Sequence, residues 1–442
     1  MVTIFFIAFE FPPANNGGVF RPLSFIKYLP SCGIKPIIFT LHSDSIPLFY
    51  GKDITDRKLL DKLPDEAEIV YISLDKMLPK NKFKSFFNIR DRNTENWEIA
   101  AENSLLQLKE IYNPELLLVT APPFTMASFG KRMAKKLKLP LILDMRDAWA
   151  YWNMVPYRTW FHYYFTKREE FLCFKAAQGI TVTSQQTIDD FKYLHPSIDT
   201  NKFTLVTNGY DEKLEGRDFY LAEKDKYVIG YCGGFYYDPK SRDLMFSKWW
   251  HKKPQQWGYY VPRKEDWLYR SPYFIFKAFS ELKKLNQELF NKIELHFIGQ
   301  KPEWFDKMLS EFDIYENVKH LGTYSHKDSI EFQRSCDMLL ITSAKIIGGK
   351  DYSIAGKTFE YLAMQKPVLS FVCEGAQKEL LKKTGMALLC DPDEATESAK
   401  SIIKLINGEI LIKPDFDYIS NLTREKQAEL LAQVIHHSII QN

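Results

Sequence analysis

The stretch ITSAKIIGGKDYSIAGKTFEYLAMQKPVLSF, residues 341–371, reads as the end of a strand, a glycine-bearing loop, the start of a helix and a second strand. The apolar run from Met338 to Ile341 suits a buried strand, and Gly348, Gly349 and Gly356 let the connecting backbone bend and approach a ligand closely. A short helix is expected to begin near Ala355, with Phe359, Leu362 and Ala363 at helical spacing toward a core. Lys357 and Glu360, three residues apart, then share another side. A helix N-terminus offers unpaired N–H groups and the positive end of a dipole, so a phosphate held there beside Lys357 needs no metal. The same pair also fits an exposed salt bridge worth about 0.2–0.5 kcal/mol, and spacing alone leaves both readings open.

Around this stretch the chain repeats one pattern, short apolar runs alternating with amphipathic segments, which yields parallel sheets covered by helices. Strands are expected at Tyr227 to Cys232, Ile293 to Ile298, Val318 to Leu321, Met338 to Ile341, Val368 to Val372 and Ala387 to Cys390. The first half shows the same alternation from Val2 to Phe9 onward, through Ile37 to Leu41, Ile69 to Ile72, Leu116 to Thr120, Leu141 to Asp144, Gly179 to Thr183 and Phe203 to Thr207. After the turn Asn208-Gly209-Tyr210-Asp211 the chain turns polar and charged. The division is therefore a first Rossmann-like domain over residues 1–210, a linker at 211–226, a second such domain at 227–410 and a helical segment at 411–442 that packs back toward the first domain. Two doubly wound sheets facing each other leave a cleft at the carboxyl ends of their strands, the usual place for a ligand.

One segment, 236–271, interrupts the alternation between the first strand and first helix of the second domain. It holds four of the nine tryptophans, Trp249, Trp250, Trp257 and Trp267, among lysines and arginines. Such a mixture fits sugar binding, base stacking or a membrane interface, and it equally fits an aromatic subcore that ties a long loop down.

A length of 442 residues with 45% hydrophobic content suits a two-domain globular protein, and a formal charge of +3 is too weak for a nucleic-acid binder. The six cysteines form no CxxC pair, which fits a reducing cytoplasm. The opening MVTIFFIAFEFPP lacks a basic start and breaks at Pro12-Pro13, so it reads as a buried strand and not as a signal peptide. His195, His251, His296, His320 and His326 lack metal-ligand spacing, and Asp391-Pro392-Asp393 reads as turn chemistry.

Taken together, FEFPPANNGGVFRPLSFIKYL (9–29), LILDMRDAW (141–149), TNGYD (207–211), LGTYSHKDS (321–329) and AGKTFEYLAMQKPVL resemble bacterial glycosyltransferases of the GT-B fold, close to family 4 and of group 1 type. The resemblance implies an α/β chain of two domains, the first on the acceptor side and the second binding the donor. It implies transfer of a sugar from a nucleoside diphosphate to an acceptor hydroxyl, retaining and without a metal or other cofactor. By the same likeness Glu360 accepts hydrogen bonds from the donor ribose, Lys357 meets the diphosphate, and Arg242 or Arg270 supplies a further cation. Gly17 and Gly18 bring backbone amides to the diphosphate and sugar from the other side, with Arg21 following on the helix. Gly322, Thr323 and Tyr324 meet the base, and Gly299 lines the same pocket.

Two positions depart from the family pattern. Tyr352 stands where relatives have a glutamate near the transferred sugar, and Arg146-Asp147 stands where many have a histidine before an aspartate. Arg146 and Asp147 either pair structurally or address acceptor and sugar. Partners implied are a nucleotide sugar, a saccharide or lipid-linked acceptor of cell-surface polysaccharide or glycolipid synthesis, and a peripheral contact with the inner membrane face through residues 146–168 and the insertion. Rival readings are a sugar-nucleotide epimerase of the same fold and a degenerate homologue acting as an assembly partner. A nicotinamide dehydrogenase is disfavoured because NNGGVF is not GxGxxG.

Overall fold

The computed structural model describes residues 1–74, 94–151, 156–211, 221 and 223–440. Near-continuous apolar runs such as VTIFFI and LLLVTA become strands covered on both faces, as parallel sheets require. The first sheet contains β1 (Val2–Ile7), β2 (Ile34–Leu41), β3 (Glu68–Ile72), β4 (Leu116–Ala121), β5 (Leu141–Met145), β6 (Gly179–Val182) and β7 (Phe203–Leu205), in the order β3-β2-β1-β4-β5-β6-β7 with every pairing parallel. Alternate residues of one strand feed opposite cores. Phe5 and Ile7 pack with Trp97 and Phe129 on one face, while Ile4 and Phe6 pack with Leu23, Leu431 and Ile435 on the other.

The second sheet is built from β8 (Tyr227–Cys232), β10 (Ile293–Ile298), β11 (Val318–His320), β12 (Met338–Thr342), β14 (Val368–Phe371) and β15 (Ala387–Cys390), again all parallel, in the order β11-β10-β8-β12-β14-β15. In each sheet the first strand lies between strands reached by opposite crossovers, β1 between β2 and β4 and β8 between β10 and β12. These are the topological switch points where open α/β sheets bind ligands.

The closing helix Arg424–Ile440 packs on the first domain, where Gly179 of β6 lies so close that a Cβ there would stand 2.8 Å from Val434. Its Gln427 Oε1 accepts the Thr207 amide at 2.7 Å, and Arg424 meets Asp211 at 2.6 Å. The rest of the linker expected at 211–226 is described only at 221 and from 223 on, and its residues 212–220 and 222 lie outside the described residues. Among the described residues no helix is long and apolar enough to cross a membrane.

The insertion is partly ordered by pairing. It contributes the helix Pro239–Phe246 and a two-residue strand, β9 (Glu265–Asp266), that runs antiparallel to β13 (Lys345–Ile346) just after β12. Of its four tryptophans, Trp249, Trp250 and Trp257 form an exposed surface cluster with ring centroids 5.8 and 6.1 Å apart. The subcore alternative therefore does not describe these three rings. Trp267 turns inward and carries Arg270 over its ring at 4.8 Å.

Candidate active site

A cavity of about 780 Å³ lies between the two sheets, and its walls come from the residues that leave the carboxyl ends of the strands. Glu10 follows β1, Pro122 follows β4, Arg146 and Asp147 follow β5, Thr183 follows β6 and Ala344 follows β12. Two helix N-termini reach the wall, Phe20–Tyr28 from the first domain and Gly356–Ala363 from the second, and neither has a side-chain cap. The first amides of the second of these, at Gly356 and Lys357, are available to an anion.

Lys357 sits in the first turn of the Gly356–Ala363 helix. Its Nζ donates to the Cys232 carbonyl at 2.5 Å and lies 3.8 Å from the centre of the Tyr231 ring. Burial pulls its pKa down to about 8, with the nearby Arg270 cation acting in the same direction. Arg270 is held by Ser353 Oγ and stands 3.5 Å from Asp351 Oδ2. These two cations face the cavity from the second domain, and Glu360 lies one turn along the helix from Lys357. The Glu360 carboxylate makes no hydrogen bond or ion pair with any described residue, so its acceptor capacity is open.

The first domain presents Gly17 and Gly18. The Gly18 amide donates to Asn16 Oδ1 at 2.8 Å, and its carbonyl accepts Arg146 Nη1 at 2.9 Å. A Cβ on Gly18 would meet Glu10 Oε2 at 1.9 Å and Arg146 at 2.5 Å, so any larger residue here would push this ion pair aside. Arg146 also donates to Glu10 Oε2 at 3.0 Å and to the Pro122 carbonyl. The structural pairing of Arg146 with Asp147 does not form. Arg146 turns instead to Glu10 and pins the glycine loop. Asp147 is left on the cavity wall without a hydrogen bond or ion pair to a described residue. Burial raises its pKa, Arg146 and Arg270 oppose that, and Glu10 and Asp351 add to it.

Arg21, which follows on the helix, also points inward. Its guanidinium grips Asp144 at 2.7, 3.0 and 3.1 Å and donates to the Thr207 carbonyl at 2.8 Å, and Asp144 further accepts Thr120 at 2.8 Å and Thr181 at 2.7 Å. This buried cluster fixes the start of the helix over the sheet.

Tyr352 touches the cavity wall but its ring belongs to the core of the first domain, and its carbonyl accepts Ser184 Oγ at 2.6 Å. It is an anchor between domains. Arg242 lies outside the cavity lining because both arms of its guanidinium are taken by Asp266, at 2.7 and 2.8 Å. Gly299, Gly322, Thr323 and Tyr324 gather past the ends of β10 and β11, also outside that lining. There the Gly299 amide donates to the Gly322 carbonyl at 2.8 Å, and the φ of +136° at Gly299 brings its backbone against Gly233.

The wall also includes acids that the sequence did not single out, Glu10, Glu265 and Asp351. Glu10 sat within the quoted 9–29 segment and was open to notice as a polar residue ending an apolar strand. Glu265 carried no signal of its own, since it is one charge among many in the insertion. Asp391 and Asp393 do form a turn, with Asp391 Oδ1 accepting the Asp393 amide at 2.9 Å and Asp393 binding Lys345 at 2.5 Å. Among the described residues no three His, Cys, Asp or Glu side chains cluster as a metal site would need.

The profile of the family described as "Glycosyl transferases group 1" matches residues 272–421, which contain Asp351, Lys357 and Glu360. No curated protein sequence matches the chain. Among solved structures, the lipopolysaccharide outer core galactosyltransferase WaaB in its apo form is similar with a TM-score of 0.60 at 16% identity, covering 99% of each chain. Anabaena Alr3699/HepE in complex with UDP is similar with a TM-score of 0.56 at 13% identity, covering 100% of this chain and 98% of that one. The UDP-GlcNAc 2-epimerase of Methanocaldococcus jannaschii gives 0.52 at 11% identity, over 99% and 100%. At such identities the likeness speaks for the fold. The chain thus has the two-domain GT-B fold of these structures, and its residues 272–421 match the group 1 glycosyltransferase profile.

Proposed function

We propose that the protein transfers a sugar from a nucleoside-diphosphate sugar to an acceptor hydroxyl, with retention at the anomeric carbon and without a metal. The observation that carries this reading is the set of charges on the wall of one cavity: an open carboxylate, Glu360, the cations Lys357 and Arg270 near an uncapped helix N-terminus, and the acids Glu10, Asp147, Glu265 and Asp351. Ribose, diphosphate and sugar hydroxyls call for those kinds of group. Lys357, Arg270 and the helix amides take up the charge that builds on the departing diphosphate. Asp147, an acceptor without a partner, suits an incoming hydroxyl. HepE is described as binding UDP and UDP-glucose, which makes uridine nucleotides the first probes.

The test is a thermal-shift and product-release screen with UDP-, GDP-, dTDP- and CDP-sugars. Glu360→Ala is expected to weaken nucleotide binding at least tenfold, the scale of about 1.5–3 kcal/mol for hydrogen bonds to a charged group. Unchanged affinity would count against the ribose role. Turnover of the donor with no acceptor present would favour an epimerase, and binding without turnover in any acceptor mixture would favour an assembly partner.

We further propose that the acceptor belongs to cell-surface polysaccharide or glycolipid synthesis and is met at a membrane face. Trp160, Phe161, Tyr164 and Phe165 are exposed on the helix Trp160–Ala176, and the antiparallel bridge between Tyr157 and Tyr260 joins the start of this helix to the insertion that bears the exposed tryptophans. Exposed Lys248 and Lys253 lie among those tryptophans, a combination suited to anionic lipid. Vesicles containing anionic lipid are expected to slow hydrogen exchange at 156–168 and 248–260. No change in either segment would refute the contact.

A further inference from the structure

Glu265 enters the cavity wall on the return strand of the insertion, 87 positions before the matching wall residue Tyr352. We infer that Glu265 is the carboxylate that holds the transferred sugar, accepting hydrogen bonds from its hydroxyl groups. This assignment rests on the donor-site reading above and goes further by naming the group that meets the sugar.

Glu265 is 5% exposed, yet its Oε1 has no hydrogen-bond partner. The closest cation, Arg263 Nη2, stands 3.7 Å from that oxygen, beyond hydrogen-bonding reach. Leaving a buried carboxylate unbonded is costly, and because Glu265 lines the cavity, a small turn of its carboxylate would let donors inside the cavity complete its bonding. Sugar hydroxyls are donors of that kind.

The position is built and not incidental. The Ile347 amide donates to the Lys264 carbonyl at 2.9 Å and β9 pairs with β13, which ties the segment to the second domain. Arg242 holds the adjacent Asp266 with two bonds, so the arginine expected at the diphosphate serves to fix this strand. Arg263 crosses to the first domain, where it meets Asp190 Oδ2 at 2.7 Å and lies 4.5 Å over the Tyr151 ring and 5.2 Å over Tyr352. Glu265 is thus presented at the seam between domains in the wall of the cavity that Arg270 and Lys357 also line, within one site with the cations assigned to the diphosphate.

The charged groups around Glu265 are Arg263 on its own segment, Asp351 from the loop before the Gly356–Ala363 helix, Arg270 from the end of the insertion and Asp147 from the end of β5. Burial outweighs the two arginines and lifts its pKa to about 7. Hydroxyl donors favour the ionised form, so the preference for a nucleotide sugar over the bare nucleotide should grow as pH rises through 7. A residue that only supported the strand would not impose that trend.

The experiment compares binding of UDP, UDP-glucose and UDP-galactose, with kcat and KM for whichever sugar is turned over, in the full chain and in Glu265→Gln and Glu265→Asp. Glu265→Gln keeps the shape, and its UDP affinity reports whether the site is intact. The expected result is UDP affinity within twofold of the parent, affinity or kcat/KM for the nucleotide sugar lower by about 10- to 100-fold, and loss of the pH trend. Equal loss of UDP and UDP-sugar binding, or no loss of either, would overturn the assignment. Failure of the unaltered protein to bind any of the three would remove the donor-site reading, and this assignment with it.

Discussion

Replacing Lys357 with methionine will lower kcat/KM for the donor by about 10²- to 10³-fold, the scale seen when one preorganised donor to a developing charge is removed. Methionine keeps most of the stem volume, so the change is read as loss of charge. The wild-type amine should also leave a signature in pH. Burial has pulled its pKa from 10.5 to about 8, so it is cationic below that pH and neutral above it. A bound diphosphate stabilises the cation and raises the pKa, which means that binding takes up a proton at higher pH. Donor affinity must therefore fall as pH rises through 8, and the methionine variant must lose that limb. Steady-state kinetics from pH 6.5 to 9.5 check both effects. A variant within threefold of the parent, or a profile flat through 8 in the wild type, would contradict the role.

The second large effect concerns stability. Asp144→Asn removes the charge opposite Arg21 while leaving the guanidinium buried, and removing one partner of such a pair costs about 3–5 kcal/mol. Burial alone would raise the pKa of Asp144, but the charge and hydrogen bonds of Arg21, with those of Thr181 and Thr120, outweigh it and hold the carboxyl below its ordinary 3.8. The stabilisation is therefore complete above pH 4 and is lost as pH falls through the lowered value. Urea unfolding at pH 7 should show the loss, and the gap between parent and variant should narrow on acidification. A difference under about 1 kcal/mol at pH 7 would mean that the Arg21 cluster is not what fixes the first helix.

The alternation of apolar runs was enough to locate every strand of the two large sheets, because a strand covered on both faces must be apolar throughout. Strand ends shifted by a few residues, as at β2, which starts at Ile34 and not Ile37. The helix Trp160–Ala176 was not legible. Its residues WFHYYFTKREEFLCFKA set aromatic and charged groups on all sides, so no single face stands out, and four of its seven Phe, Trp and Tyr residues remain exposed. Strands β9 and β13 were too short to carry any period.

The site divides in the same way. Lys357 and Glu360 could be read because both lie in one turn of one helix beside their own glycine loop. Arg146 and Asp147 were found by their place after β5, but the side-chain choice of Arg146 for Glu10 depends on a contact 136 positions away. Glu265 depends on a chain reversal that lays β9 on β13 some 80 positions later, and nothing local announces it.

On the proposed reading the mouth of the Gly356–Ala363 helix receives a nucleoside diphosphate. Calorimetric titration of UDP at pH 7 in the presence of EDTA, into the unaltered chain and into Lys357→Met, tests it most directly. One-site binding to the unaltered chain, weakened about tenfold or more in the variant, is the predicted result. Equal affinity in both proteins, or no binding to the unaltered chain, would contradict it.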